Sequence, residues 1–92
     1  MKALVTEYVR GAYYGGDIKT IVDVPDNTEE SLKYAVVKAI FKTDESDNYE
    51  IFLDKDETDG VYHVTSVEIK CKDAGRFVGS VLLDVCVKVE LI

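Results

Sequence analysis

The sequence has only two cysteines and no long apolar segment, and each of these absences excludes a class of protein. Its only cysteines are Cys71 and Cys86, too few for a disulfide framework and without the paired spacing typical of structural zinc sites. We therefore expect both thiols to be reduced. No apolar run reaches the roughly 18 residues that a membrane-spanning helix needs. Residues 1–11 lack the apolar core of a signal peptide, so a cytoplasmic location is expected.

Signatures of catalysis are also missing. His63 is the only histidine, and along one strand it would lie roughly 26 Å from Cys71 at about 3.3 Å per residue. Cys86 is expected on the opposite face of the sheet from His63, so a nucleophile–base pair is not predicted. The glycine-rich segment 11–16 lacks the lysine and hydroxyl residue of a phosphate-binding loop. The sequence indicates a protein that is not an enzyme and that has no cofactor.

Basic residues are outnumbered, and the excess acid is concentrated in one segment. The chain has 18 acidic and 11 basic residues, a net charge of −7. Residues 44–59 contain eight acids and one base and carry −7 by themselves, so the remaining ten acids and ten bases balance. Direct binding to duplex nucleic acid is not expected, because affinity for phosphates comes from clustered Lys and Arg. The natural complement is a basic protein or nucleoprotein complex.

Alternating apolar positions and turn residues predict one domain over residues 1–92 with the order ββαβββ. The helix is expected to begin with Asn27 as N-cap and Glu30 as its reciprocal partner. This one amphipathic helix must cover one face of a mostly antiparallel sheet, which is an α+β two-layer domain. The predicted elements are strands at 2–10 and 17–24, a helix at 28–43, and strands at 48–54, 61–72 and 76–91.

The register of the last predicted hairpin follows from its apolar pattern. If Val67 and Val81 both face the helix, a three-residue loop at 73–75 satisfies the pairing. The further cross-strand pairs that this register predicts are His63 with Val85 and Tyr62 with Cys86.

The sheet face away from the helix is predicted to be more apolar than a solvated surface needs to be. Exposed apolar residues are common singly, but a group of them can mark an interface. A homodimer through this second sheet face is therefore one interpretation. The apolar residues assigned to the second sheet face are Tyr8, Ile21, Phe52, Tyr62, Val64, Leu82 and Cys86.

Residues 53–64, LDKDETDGVYHV, look at first like a calcium loop. An EF-hand needs glycine at position 6 and glutamate at position 12, but counting from Asp54 these positions hold Asp59 and Thr65. The flanks are also predicted as strands, whereas an EF-hand needs helices. Asp59 and Gly60 are better explained as the tight turn of a hairpin. No specific metal site is expected.

The acidic segment and the aromatic residues of segment 11–16 together predict a partner-binding surface. Adjacent tyrosines offer large contact area with polar tips, the composition of interface hot spots. Carboxylates can form bidentate pairs with a partner's arginines, and their charge speeds encounter. The candidate partner-binding residues are Asp44, Glu45, Asp47, Glu50, Asp54, Asp56, Glu57, Asp59, Tyr13 and Tyr14.

In its small size, acidic surface and lack of catalytic residues, the chain resembles the phage-encoded inhibitors known as anti-CRISPR proteins. The stretch that carries the resemblance is TDESDNYEIFLDKDETD, residues 43–59. The resemblance implies a partner in the host cytoplasm, a CRISPR effector complex blocked at its target-DNA path. It implies no individual site residue, because such inhibitors share no motif. The alternative is a homo-oligomeric accessory or antitoxin-like protein that uses the second sheet face.

Overall fold

One helix packs against a six-stranded, antiparallel sheet, which confirms the predicted α+β two-layer architecture. The computed structural model describes residues 1–9, 17–71, 76–81, 83 and 85–92. No helix in these ranges is long and apolar enough to cross a membrane. The elements are β1 (Lys2–Tyr8), β2 (Ile18–Asp23), α1 (Glu29–Phe41), a 3-10 turn (Ser46–Asn48), β3 (Tyr49–Lys55), β4 (Tyr62–Cys71), β5 (Arg76–Val81) and β6 (Cys86–Leu91).

The strands lie in the order β2-β1-β6-β4-β3, and β5 also pairs with β4. The predicted hairpin of the first two strands is present, with Leu4 opposite Ile21. β2 and β3 end this order, and β5, which pairs with β4 alone among the described strands, also has an open side. The acidic segment 44–59 includes the whole of β3, so the order of strands places that segment at one border of the sheet.

The core between helix and sheet is built mostly from small β-branched residues. Ala35 and Val36 of α1 are completely buried, and their spacing places them on one face of the helix. They pack with strand residues that alternate along the chain, as a half-buried strand requires. The buried apolar residues that the strands contribute are Ala3, Val5, Val22, Ile51, Val67, Val87 and Val89.

The prediction of Asn27 as the N-cap of α1 was wrong. The N-cap is Thr28, whose hydroxyl oxygen accepts a hydrogen bond from the backbone N–H of Ser31 at 3.3 Å. Asp26 Oδ1 accepts from the Thr28 N–H at 3.1 Å and from the Ser31 hydroxyl at 2.6 Å. Asp26 thus fixes Thr28 in the cap position, one residue after Asn27. The helix ends at Phe41, two residues earlier than predicted.

The last predicted strand, 76–91, is two strands. The predicted pair Val67–Val81 is present between β4 and β5. His63, however, lies opposite Lys88 rather than Val85, and Tyr62 lies opposite Val89 rather than Cys86. The register of β6 against β4 is therefore three residues later than that of the Val67–Val81 pair.

An irregularity in β4 reverses which side chains face the helix. Thr65 is left out of the ladder, because consecutive residues of β3 pair with the residues on either side of it, and its hydroxyl instead donates to the Phe52 carbonyl at 3.1 Å. One unmatched residue exchanges the two faces of the strand beyond it. Tyr62 and Val64 therefore pack against the core instead of lying on the second sheet face.

The second sheet face is consequently less apolar than predicted. Ile21 and Phe52 are exposed on it, but they belong to the two opposite edge strands. Tyr8 and Cys86 are half-buried, and Leu82 lies outside the described residues. These apolar side chains do not make the broad continuous surface that the sequence suggested.

Candidate partner-binding surface

The eight predicted carboxylates lie along one border of the molecule, which we call the acidic edge. Because β3 has seven residues, its two ends are roughly 20 Å apart at about 3.3 Å per residue. The carboxylates form one group before and at the start of β3 and a second group at its end and in the following turn. Tyr13 and Tyr14 lie outside the described residues. The acidic edge comprises Asp44, Glu45, Asp47, Glu50, Asp54, Asp56, Glu57 and Asp59.

The first group is partly neutralised within the molecule. Asp44 Oδ1 accepts hydrogen bonds from the Lys38 ammonium and from the Tyr34 hydroxyl. The hydrogen bond from Lys38, and then the one from Tyr34, lowers the pKa of Asp44 below its usual value. Glu50 lies 4.0 Å from Lys33 Nζ. A partner would therefore have to displace lysines of α1 to use these carboxylates fully.

The second group surrounds a short, hydrogen-bonded turn between β3 and β4. The Asp56 N–H donates to the Val61 carbonyl at 2.9 Å, and the Gly60 N–H donates to the Asp56 carbonyl at 2.7 Å. Gly60 has a φ of +74°, in the left-handed region that favours glycine. The predicted hairpin turn at Asp59 and Gly60 is confirmed. The turn presents its carboxylates on a defined backbone.

Two aspartates of this turn bind its backbone. Asp56 Oδ1 accepts from the Thr58 N–H at 2.8 Å, and Asp59 Oδ1 accepts from the Val61 N–H at 2.8 Å. The hydrogen bond from the Thr58 backbone is the main cause of a lowered pKa for Asp56, which desolvation partly opposes. These two side chains therefore shape the turn as well as contribute charge.

Asp54 and Glu57 are exposed, and the described contacts give neither of them a salt bridge. The one base of the segment, Lys55, lies over the Tyr62 ring, with Nζ 5.8 Å from its centroid. In that position its charge interacts with the aromatic face instead of with a neighbouring carboxylate. The turn end of the acidic edge therefore holds the charge that remains available to a partner.

His63 joins this group, which the sequence analysis did not predict. Its Nε2 lies 4.0 Å from Asp56 Oδ2, and its Nδ1 lies 3.5 Å from the Tyr8 hydroxyl oxygen. The side chain is one-third exposed, which agrees with the expected half-buried strand position. The signal that sequence reasoning lacked is the unmatched Thr65, since it determines which face of β4 carries His63.

Cys86 lies on the same sheet face as His63, contrary to the prediction. His63 is opposite Lys88, and Cys86 is two residues from Lys88 on β6, so all three side chains share a face. His63 and Cys86 both line a cleft of about 520 Å³ at the point where β5 and β6 separate along β4. Cys86 is a free thiol.

Comparison with protein-family models, with curated protein sequences and with solved structures found no match to this chain.

Proposed function

We propose that this protein is a non-enzymatic binding protein whose acidic edge occupies a basic, nucleic-acid-binding surface of a partner. The observation that supports the proposal is the exposed charge of Asp54 and Glu57, to which the described residues offer no salt bridge, beside the hydrogen-bonded turn that carries Asp56 and Asp59. A carboxylate presented on an ordered turn loses less conformational entropy on binding than one on a free loop.

The acidic edge presents carboxylates on both sides of β3 as well as on it. Only Glu50 and Asp54 lie within the roughly 20 Å of this strand, so the eight carboxylates are spread over a greater length and less densely than the one charge per about 1.7 Å of duplex axis. Carboxylates accept hydrogen bonds from guanidinium groups in the same bidentate manner as phosphates do. A groove lined with arginine for a nucleic-acid backbone would therefore accept this edge.

Among such partners we propose a CRISPR effector complex, with the protein acting as a phage-type inhibitor of target-DNA binding. The resemblance of residues 43–59 to anti-CRISPR proteins in charge supports this choice. Occupation of the DNA path would require no catalysis, which fits a site made of carboxylates on a turn.

Affinity capture tests this proposal. Bead-bound protein is exposed to a bacterial lysate that contains CRISPR effector complexes, and the bound material is identified by mass spectrometry and by its guide RNA. The test variant is Asp54→Asn with Glu57→Gln, which removes two charges without touching the hydrogen bonds of the turn. The control, Asp17→Asn with Asp23→Asn, removes two exposed charges elsewhere, of which Asp23 lies 3.6 Å from Lys2 Nζ.

The proposal predicts that the wild type and the control capture the effector complex and that the test variant captures much less. Raising the salt from about 0.05 M to 0.3 M should release the complex, because exposed charges are screened beyond a few ångströms at the higher value. Equal capture by the test and control variants would contradict the proposal.

A second candidate, self-association through β2, has its own supporting observation. Ile18 and Ile21 are 61% and 58% exposed on this edge strand, and an open edge can pair with a second copy. Sedimentation equilibrium in about 0.3 M salt, where charge attraction is screened, distinguishes the candidates. A dimer that Ile21→Lys converts to a monomer would support self-association, and a monomeric wild type would contradict it.

A further inference from the structure

Three side chains that could bind a metal ion lie close together at the turn end of the acidic edge, and they differ in type from the ligands of an EF-hand. One atom each from Asp56, Asp59 and His63 lies within 4.8 Å of the others. The set combines one imidazole nitrogen with two carboxylate oxygens. The turn contributes the two aspartates and β4 contributes His63, so the set exists only because the hairpin is formed.

The imidazole supplies an independent indication of a ligand. His63 Nε2 is shielded from solvent and has no hydrogen-bond partner among the described residues. A buried polar atom without a partner is uncommon and calls for an explanation such as an ion. Nε2 is the ring atom that faces Asp56 Oδ2, at 4.0 Å.

The other ring nitrogen also lies within reach of a hydrogen-bond partner, as the second nitrogen of a metal-bound histidine normally does. His63 Nδ1 lies 3.5 Å from the Tyr8 hydroxyl oxygen. If the Nδ1–H donates to this oxygen, Nε2 carries the lone pair that a metal requires. Tyr8 is itself held by β1, and Lys88 Nζ lies 5.5 Å from the centroid of its ring.

Backbone hydrogen bonds orient the side chains of the two aspartates. Asp56 Oδ1 and Asp59 Oδ1 each accept a backbone N–H of the turn at 2.8 Å. Such hydrogen bonds fix the direction of a carboxylate while its second oxygen can face an ion. The backbone of the turn thus acts as the support for both oxygen ligands.

We propose that Asp56, Asp59 and His63 form a binding site for a divalent transition metal, with Zn²⁺ as its best match. Neighbouring ligand atoms of tetrahedral zinc are roughly 3.4 Å apart for bonds of about 2.1 Å. The 4.0 Å between Nε2 and Asp56 Oδ2 needs only a small closure of side chains at the protein surface. Three protein ligands leave a fourth position open.

Calcium and magnesium fit this set less well. Calcium takes six to eight oxygen ligands, and magnesium keeps a water-rich octahedral shell of oxygens. An imidazole nitrogen favours zinc and its transition-metal neighbours instead. The failed EF-hand pattern and the proposed zinc site are therefore consistent, because they concern different ions and different ligands.

Calorimetric titration of the tag-free, reduced protein with Zn²⁺ tests the proposal. The wild type should bind one equivalent, and a millimolar excess of Ca²⁺ or Mg²⁺ should leave the affinity within twofold. Asp59→Asn removes a charge while its side-chain oxygen can still accept from the Val61 N–H. This variant and His63→Ala should each weaken binding by at least tenfold, and Asp54→Asn should stay within twofold of the wild type.

A second readout follows the imidazole directly and remains informative if His63→Ala alters the fold. Because His63 is the only histidine, its two ring nitrogens give the only imidazole signals in a nitrogen-15 NMR spectrum. Zn²⁺ should shift the Nε2 resonance and leave the Nδ1 resonance in its protonated range. Several weak equivalents that persist in His63→Ala, no binding at all, or an unmoved Nε2 resonance would each overturn the proposal.

The metal site stands apart from the proposed function although the two share the turn. Asp54→Asn with Glu57→Gln should reduce partner capture and leave zinc binding unchanged. His63→Ala should weaken zinc binding by at least tenfold, whatever its effect on capture. Failure of one proposal is therefore visible separately from failure of the other.

Discussion

Asp26 stabilises the first turn of α1 without belonging to the helix. Hydrogen bonds from the Ser31 side chain, and then from Thr28, lower its pKa below the usual value for aspartate. A carboxyl group with a lowered pKa in the folded state contributes stability above its unfolded pKa of about 3.9, and that contribution is lost as the pH falls through the folded value.

Asp26→Asn should therefore change the acid side of the stability profile. Urea denaturation between about pH 7 and pH 2.5 should show the free energy of unfolding of the wild type falling below about pH 4. The variant should be less stable than the wild type near neutral pH, and this difference should shrink as the pH falls. Asp17→Asn, which lacks these contacts, is the control. A difference that is constant over the whole range would contradict this role of Asp26.

Lys42 ends α1 in a conformation that suits glycine better than lysine. Its φ is +57°, and the left-handed region costs a residue with a Cβ about 1–2 kcal/mol. Lys42→Gly should raise the free energy of unfolding by about 1 kcal/mol, after the loss of the Lys42 Nζ hydrogen bond to the Ala39 carbonyl. Thermal denaturation measures the change. Lys42→Ala, which removes the same hydrogen bond without relieving the backbone, should not be stabilising, and equal effects would refute the explanation.

At the scale of the elements, β3 connects the acidic edge to the core. Ile51 is 1% exposed beneath α1, and its neighbour Phe52 is 39% exposed on the second sheet face. Ile51→Ala should lower the free energy of unfolding by about 2–5 kcal/mol. Phe52→Ala, on the same strand, should cost less than Ile51→Ala, because 39% of Phe52 is exposed to solvent. Chemical denaturation compares the two, and a larger loss for Phe52 would contradict the assignment of the faces.

The elements that could be predicted are those in which apolar residues recur with the period of a strand or a helix. Period-two alternation identified β1 to β4, and the apolar stripe around Ala35 and Val36 identified α1. The break between β5 and β6 was not predictable, because both pieces keep the same alternation. The unmatched Thr65 was not predictable either, since a single extra residue in a ladder depends on the neighbouring strand.

The same distinction applies to the candidate site. The acidic edge was visible in the sequence because its carboxylates are close together along the chain. The approach of His63 to Asp56 and Asp59 was not visible in the sequence. It depends on the unmatched Thr65, which determines the sheet face on which His63 lies. Asp59 and Gly60 were correctly identified as a turn, since their chemistry is local. Sequence reasoning therefore found the charge of the site and missed its imidazole.

At the scale of the whole molecule, the net charge of −7 should affect the association rate with a partner more than the dissociation rate. Electrostatic attraction mainly changes the association rate, and screening by salt removes it. Asp54→Asn with Glu57→Gln should therefore slow association with the captured partner, with the larger effect at low salt. Surface plasmon resonance measures both rates, and an unchanged association rate would indicate contacts elsewhere on the molecule.

The most direct test of the central claim is a competition for one surface. A purified CRISPR effector complex is titrated with fluorescent target DNA in the presence of the wild type, the Asp54→Asn/Glu57→Gln variant or the Asp17→Asn/Asp23→Asn control. If the acidic edge occupies the DNA path, the wild type and the control should raise the apparent Kd for DNA in proportion to their concentration, and the test variant should do so much less. DNA affinity that is unchanged at saturating wild-type protein would contradict the claim.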